Sequence, residues 1–535
     1  MQEPNEEDIH SKHSRPVRKP LLKQFLSVFF AKQKSWSVRC AALCALIALS
    51  VKNCAKLFTN RASDEPFNKP PIKTGVLVKI KDGFSSKFPD DFSFKEGREN
   101  VITIAWPAFA ELSLMQLASM VNMMMVGGLG TWAVAAVGFS LQLRLLMIAV
   151  FMAFNTGSTA LIARAKGADE PEQANKIMHQ AILFSMIMSV ILSSLGSAFA
   201  TPLVMFMGAS DEATVEAATQ YVRVVLLLFP ANAFTLAVTA MLRGIGKTRI
   251  PMIYNVISNV VNVILGFLLI GGRLGFPALG VRGAAIGLGV GHVVAAIIAL
   301  AAILKGSDML KLTPNALFKI DFSMLKRVAR IGTPAMFEQF FMRAGNIMFF
   351  RIVASLGTDA FATHQIVLNI HQLTFMTGHA FGISATTLLG QSMGRKRPDQ
   401  GKALVQLCRR YSLIVSLVLV SAIVIFGTPL LALYTDNADV IVAGVALLWI
   451  VAAMQPFQSS QQVLAGALRG AGDTKAVAVC IFIGIVVVRP AVAYVLVAAG
   501  LGVTGAWLAM FLDQAARAVY VFWRFASDKW KTIKV

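Results

Sequence analysis

The sequence predicts an all-α membrane protein of about twelve transmembrane helices in two six-helix, pseudo-symmetric lobes. Three observations carry this prediction. The 535 residues are 56% hydrophobic and 15% charged, with mean hydropathy +0.65, against roughly 25% charged in a soluble domain. The apolar residues gather in runs of about 20 with almost no charge, the length that crosses a hydrocarbon layer roughly 30 Å thick as helix. Motifs from the first half of the membrane region return in the second at a nearly constant offset. Such a composition excludes a disordered chain, a disulfide scaffold and a soluble enzyme.

The first hundred residues stand apart, with 18 of the 50 Lys and Arg. They open on an acidic cluster (Glu3, Glu6, Glu7, Asp8) and include the turn-forming Asn68-Lys69-Pro70-Pro71. The apolar run 40–51 is too short to span, and no convincing small-residue cleavage pattern follows it. Residues 1–98 are therefore read as a basic, partly disordered cytoplasmic tail with an interfacial helix. Spans follow near 101–126, 132–163, 178–205, 216–242, 252–271 and 280–304, which make an N-lobe of 99–304. After a basic cytoplasmic linker, 305–329, come 330–355, 359–391, 410–434, 439–467, 476–498 and 501–523, a C-lobe of 330–525. The C-terminal tail is 526–535. Several spans are long enough to imply tilt or kinks, and Pro107, Pro230, Pro334, Pro456 and Pro490 fall in or beside them.

The formal charge of +22 would point to nucleic acid in a soluble protein, but no nucleic-acid partner is needed here. In alternate loops and the C-terminal tail one side holds 24 Lys and Arg and the other only Arg273 and Arg282. Under the positive-inside rule both termini are cytoplasmic, in a multi-pass protein of the plasma or inner membrane. Cys40, Cys44, Cys54, Cys408 and Cys480 show neither disulfide nor metal spacing, so no metal site is expected.

The repeat is specific. Pro107-Ala-Phe-Ala-Glu111 returns as Pro334-Ala-Met-Phe-Glu338, and 334 − 107 = 227. Leu129-Gly130-Thr131 returns as Leu356-Gly357-Thr358, and Gly167 with Pro171 and Gln173 as Gly394 with Pro398 and Gln400. Leu242-Arg243-Gly244-x-Gly246 matches Leu468-Arg469-Gly470-x-Gly472, and Leu279-Gly280-Val281 matches Leu501-Gly502-Val503. Two lobes that cross in the same direction are parallel repeats, which enclose a site between them. Gly244-Ile-Gly246-Lys247-Thr248 lacks the first glycine of a nucleotide-binding Walker loop, since position 241 is Met. It is read as a helix cap and turn. Uphill transport would draw on an ion gradient. With no metal-ligand pair, no nucleophile beside a base and no cofactor loop, the chain is not expected to be an enzyme or to need a cofactor beyond a coupling ion.

Two six-helix halves, a Pro-led first helix in each, the Leu-Gly-Thr turn, the Gly-Gln391-x-x-Gly394 loop and the paired Leu-Arg-Gly-x-Gly loops together resemble the multidrug and toxic compound extrusion (MATE) family. The resemblance covers about 100–525. It implies a V-shaped bundle that alternates between facing in and out, exporting an organic, often cationic, compound as H⁺ or Na⁺ enters. Departures from the family's patterns are plain. Asn122 stands where one branch has an Asp in the first helix, and Met342 and Gln458 stand where the Na⁺-linked branch has a Glu and an Asp.

Ionisable groups at membrane depth are default site hypotheses. Glu111 and Glu338 hold equivalent positions one turn after a proline, and Glu111 counts to roughly 15 Å deep from a helix start at 101. Each either binds the coupling ion and attracts a cation, or pins its helix by hydrogen bonding. Asp513 and Arg517 are spaced to pair on one helix face, with Arg489 as the other possible partner; they form a structural bridge or a proton site. Arg144 and His371 are equivalent, and His371 is a candidate proton relay because histidine titrates near neutral pH. Arg343, the equivalent of Gln116, lies about 140° around the helix from Glu338 and is expected to reach another helix, with Glu111 as a candidate partner. Met123, Met124 and Met125, with Phe337, Phe340, Phe341, Phe349, Phe350 and Phe375, line an adaptable pocket or simply pack. The coupling-ion and substrate-binding candidates are thus Glu111, Glu338, Asn122, Gln116, Arg343, Asp513 and His371. The sequence reading is an exporter, expected as a monomer in the lipid bilayer, of small cationic or amphiphilic compounds by H⁺ or Na⁺ antiport. The rival is a flippase for an anionic lipid-linked precursor, which would need a basic gap.

Overall fold

The computed structural model describes residues 88–535, apart from 207–210, 314–320, 433, 436 and 534–535. The expected interfacial helix at 40–51 lies outside the described residues, as do Cys40, Cys44 and Cys54. Twelve helical rods succeed one another among the described residues. In the N-lobe these are α1 (Phe94–Gly127), α2 (Thr131–Gly167), α3 (Pro171–Ala198), α4 (Glu212–Leu227 continued by Phe229–Gly244), α5 (Arg249–Ile270) and α6 (Gly280–Lys305). In the C-lobe they are α7 (Phe322–Ala354), α8 (Thr358–Gly394), α9 (Pro398–Ile425), α10 (Ala438–Gly470), α11 (474–501) and α12 (Gly502–Ala526).

The rods outrun the apolar spans because polar flanks, wetted at the ends of the bundle, continue the helix. α1 begins at Phe94 rather than near 101, capped by the Ser93 hydroxyl, which accepts from the Glu96 N–H at 3.3 Å. Asp211 and Asp321 cap α4 and α7 in the same way. Pro171 and Pro398 open α3 and α9, where their missing N–H costs nothing. The Leu-Gly-Thr turns need glycine: Gly130 and Gly357 sit at φ 121° and 100°. α4 bends by 52° where Pro230 enters the first turn of its second piece, whereas Pro107, Pro334 and Pro456 lie inside continuous helices. α11 carries two π stretches, Phe482–Val488 and Val497–Leu501.

Among the described residues eight helical runs, nine counting bent α4, are long and apolar enough to cross a membrane, and Thr474–Ala526 among them contains both α11 and α12. α7 and α8 do not reach that threshold. They are the polar pair, carrying Glu338 and Arg343, and His364, His371 and His379.

The loops rich in Lys and Arg meet at one end of the bundle and tie it together. Lys166 pairs with Asp308 at 2.8 Å, and Arg524 with Asp473 at 2.7 Å. The linker is anchored where Asn175 donates to the Met309 carbonyl and accepts from the Lys311 N–H, both at 2.8 Å. From there Leu310, Leu312, Met324, Val328 and Ile331 enter a core with Ile177, Met241 and Tyr254 of the N-lobe. The segment after α12 is folded back. Trp530 is fully buried, stacks on Phe525 at 5.2 Å, and donates its indole N–H to the Phe525 carbonyl. Lys402 and Lys531 both hold Asp528, and together they keep its carboxyl below the usual range although burial opposes this.

Trp530→Ala removes a whole buried aromatic and is expected to cost about 3–5 kcal/mol. A fall in the melting temperature of the detergent-solubilised protein reads this out; an unchanged melt would mean that the tail contributes nothing to the bundle.

Candidate functional site

Each lobe builds the same ion pair from the same two motifs. In the N-lobe Glu111 Oε1 accepts from Arg243 Nη2 at 2.8 Å and from Asn255 Nδ2 at 2.6 Å. In the C-lobe Arg469 grips Glu338 with both arms, Nη2 to Oε1 at 2.5 Å and Nε to Oε2 at 3.3 Å. Both carboxylates are buried, at 4% and 2% exposure. The Thr248 hydroxyl donates to the Thr103 carbonyl, so Glu111 stands eight residues, about 12 Å, above the α4–α5 loop. Thr474 does the same to Ile331, which places Glu338 about 10 Å above the α10–α11 loop. Arg243 and Arg469, read from the sequence as parts of cap-and-turn motifs, are therefore the partners of the two glutamates. The expected partner for Glu111, Arg343, is not the one: no carboxylate pairs with Arg343 among the described residues, because its helix face points elsewhere.

The two pairs differ in how the carboxylate is held. Both oxygens of Glu338 are engaged, whereas Glu111 Oε2 is buried and has no hydrogen-bond partner.

Asp513 lies deep in the C-lobe, fully buried between two guanidiniums. Arg489 donates to its Oδ2 through Nε at 3.0 Å and Nη2 at 2.6 Å, while Arg517 reaches Oδ1 at 2.8 Å and Oδ2 at 2.9 Å. Both partners named from the sequence engage it at once. Arg489 also donates to Asn346 at 3.1 Å, and Arg517 to Gln514. Gly484, in the first π stretch of α11, leaves the room: a Cβ there would overlap Asp513 Oδ1 and the Arg517 stem.

His371 is buried in the same lobe, its Nε2 3.0 Å from Gln458 Oε1 and its Nδ1 unpartnered. His364, which sequence reasoning passed over, has neither ring nitrogen bonded. The two histidines flank Trp507, with ring centroids at 5.6 and 6.1 Å. Asn122 shares the Glu111 face of α1 and lies against Gly266 of α5. Gln116 and Arg343 are both half-buried. Of the predicted residues, His371 and Asp513 thus share the interior of the C-lobe, and Glu111 and Glu338 sit at the base of their own lobes.

The lobes meet at the basic end through pseudo-symmetric contacts. Arg164 of α2 donates to the Ala471 carbonyl at 2.8 Å, and its equivalent Gln391 of α8 donates to the Gly244 carbonyl at 3.1 Å. A Cβ on Gly167 would overlap the Gln391 carbonyl, and one on Gly394 the Arg164 carbonyl. Thr387 donates to the Arg243 carbonyl and Ser384 to that of Val101. A cleft of about 160 Å³ lies here, between α1, the α4–α5 loop and α8, below the roughly 300–1,000 Å³ that takes a drug-sized ligand. This end is shut.

The MatE family profile matches residues 107–268 and again 334–495, the second match 227 residues after the first. The chain belongs to the MATE transporter family. This MATE chain is 30% identical over 437 residues to the probable multidrug resistance protein NorM of Thermotoga maritima, covering 82% of this chain and 94% of that one. It is 23% identical to the multidrug resistance protein NorM of Vibrio cholerae, covering 80% and 94%. Its fold matches an outward-facing MATE transporter of the multidrug resistance type with TM-score 0.76 at 21% identity, covering 81% of this chain and 96% of that one. Two matches of equal length at one offset agree with the internal repeat, and the fold is the two-lobed membrane bundle expected.

Two outcomes follow from this geometry. Asp513→Ala leaves two buried guanidiniums without their shared counter-charge and should destabilise the protein by about 3 kcal/mol or more; a thermal melt as high as that of the unsubstituted protein would count against a structural role. Gly394→Val forces α2 and α8 apart, so spin labels placed on the basic loops of the two lobes should report a longer inter-lobe distance. An unchanged distance would show that the glycine crossing does not hold that end closed.

Proposed function

We propose that this chain is a secondary active exporter of small amphiphilic organic compounds, coupled to proton entry and working by alternate opening of its two lobes. The observation that carries the reading is the buried, unpartnered Glu111 Oε2 beside Arg243. It supports a proton in preference to Na⁺, because the groups that face Glu111, Arg243 and Asn255, point hydrogen-bond donors at it, and a metal cation needs oxygen ligands. The names of the relatives support efflux of multiple compounds, and the basic loops on one end support placing that end in the cytoplasm.

The coupling follows from what Arg243 touches. Its guanidinium holds Glu111 while its own carbonyl accepts from Thr387 of the other lobe, and the next carbonyl, Gly244, accepts from Gln391. A proton on Glu111 cancels the charge that anchors Arg243 and so loosens the loop that fastens the basic end. A ligand that binds one state better shifts the lobes toward that state: the proton, arriving from the opposite end, favours opening to the cytoplasm, and substrate favours the return. Glu338, fully engaged by Arg469, keeps the equivalent fastening on the C-lobe side.

Glu111→Gln and Glu338→Gln are expected to fold and insert normally. Glu111→Gln should abolish dye export driven by a pH gradient in proteoliposomes, and Glu338→Gln should slow it less. Transport driven equally well by a Na⁺ gradient at symmetric pH, or undiminished in Glu111→Gln, would remove this coupling scheme.

A further inference from the structure

Charges well inside the helices do not balance. The carboxylates Glu111, Glu338 and Asp513 are each taken by arginine, and Asp513 by two. Among the described residues Arg144, Arg223 and Arg343 make no ion pair, and Arg223 is exposed. Arg343 is the one whose position matters, because its buried Nε has no acceptor.

Its direction can be read from α7. Gly332 packs against the backbone of Ala153 in α2, at 3.1 Å for an added Cβ. Arg343 follows eleven residues later, three turns plus about 20°, on the same face and about 16 Å farther from the shut end. It therefore stands on the side of α7 turned toward the N-lobe, beyond the crossing that closes the path. Its counterpart in α1 is the neutral Gln116. Met336 and Phe340, on the adjoining stripe of α7, are 40% and 60% exposed. A guanidinium with an unmet donor, next to exposed apolar side chains and without a carboxylate, is complementary to one kind of molecule. The Glu111 carboxylate faces α5, on the far side of α1 from Gln116, and is already shared by Arg243 and Asn255.

We propose that Arg343 binds the substrate, and that the substrate is an amphiphilic organic anion whose carboxylate, sulfonate or phosphate head takes the guanidinium while its apolar body lies along Met336 and Phe340. This rests on the efflux reading above and adds the charge of the cargo. Arginine suits the task because its fixed fork of N–H donors matches planar or tetrahedral oxyanions and stays charged at depth.

The test uses the full chain in phosphatidylcholine proteoliposomes with two permanently charged probes on one ring, pyrenesulfonate and pyrenyl-trimethylammonium. The sulfonate should be transported and the ammonium not. Arg343→Gln, which places the Gln116 side chain type at the equivalent position, should slow the sulfonate about tenfold or more, the usual scale for a lost charge-assisted bond. Arg343→Lys should restore most of the rate, and Arg351→Gln, an exposed change on the same helix, should leave it alone. Transport of the ammonium instead, or of sulfonate at full rate by Arg343→Gln, overturns the proposal. If neither probe moves, the efflux reading fails by itself, and pyrene fluorescence on the purified protein decides the anion site. Sulfonate binding weakened tenfold by Arg343→Gln upholds the site, and equal or absent binding ends it. A fluorescent phosphatidylglycerol, scored for transbilayer movement in the same vesicles, distinguishes a lipid headgroup from a free anion; movement of that lipid alone, lost in Arg343→Gln, keeps the anion site and assigns it to lipid.

Discussion

A carboxylate in a membrane interior is tolerated only with its counter-charge at hand, and that constraint organises this bundle. Glu111 and Glu338 each hold the arginine at the end of the fourth helix of their own lobe. Because that arginine opens a loop whose carbonyls receive the other lobe, the ion pair is also a fastening. Local charge neutralisation and global closure therefore share atoms: Arg243 contributes its guanidinium to one and its carbonyl to the other. Any event that changes the charge of Glu111 is felt where the lobes touch.

The closure itself works through shape. Lipid tails are as apolar as leucine, so membrane helices associate through close packing and small residues in place of a hydrophobic drive. α2 and α8 cross on Gly167 and Gly394, equivalent residues that each face the other helix's backbone. A contact built from repeats resembles the isologous interface of a symmetric dimer, where one surface is used twice. Here the symmetry is broken in the donors: Arg164 does on one side what Gln391 does on the other, and Thr387 and Ser384 of α8, which also donate across the contact, have Ala160 and Gly157 as their equivalents in α2. Arg164 also donates to the Ile533 carbonyl at 3.4 Å, so only its half of the contact reaches the C-terminal segment.

Much of this was legible in the sequence, and the part that was not has a physical reason. The repeat placed Glu111 and Glu338 in equivalent positions and the apolar runs marked all twelve rods, although α1, α3 and α9 begin several residues earlier than hydropathy suggests because wetted polar turns stay helical. The glutamates' partners were hidden by treating Arg243 and Arg469 as loop residues. Side chains on a helix lean toward its N-terminus, so an arginine in the last turn points back into the bundle rather than out toward the loop. The same rule offers a signal: a Leu-Arg-Gly end repeated in both lobes, directly before a turn, advertises an inward arginine. Arg343 was misassigned to Glu111 because sequence spacing fixes its angle on α7 but not which helix lies opposite.

The asymmetry between lobes bears on energetics. The C-lobe interior holds Asp513 with two arginines, His364 with neither ring nitrogen bonded, and His371 bonded through one nitrogen to Gln458, while the equivalents of His364 and Gln458 in the N-lobe are Val137 and Asn232. Arg144 and Arg343, part-buried in the helices and in no ion pair among the described residues, are positive. With the basic end in the cytoplasm and the usual inside-negative potential, an exported monoanion gains about 2.3 kcal/mol per 100 mV, whereas a cation would be carried against the same field. For an anion the proton need not supply the whole driving force. In the scheme proposed above its task would reduce to timing: a proton on Glu111 would release the shut end, and an anion at Arg343 would supply the negative charge that the C-lobe side of the gap lacks.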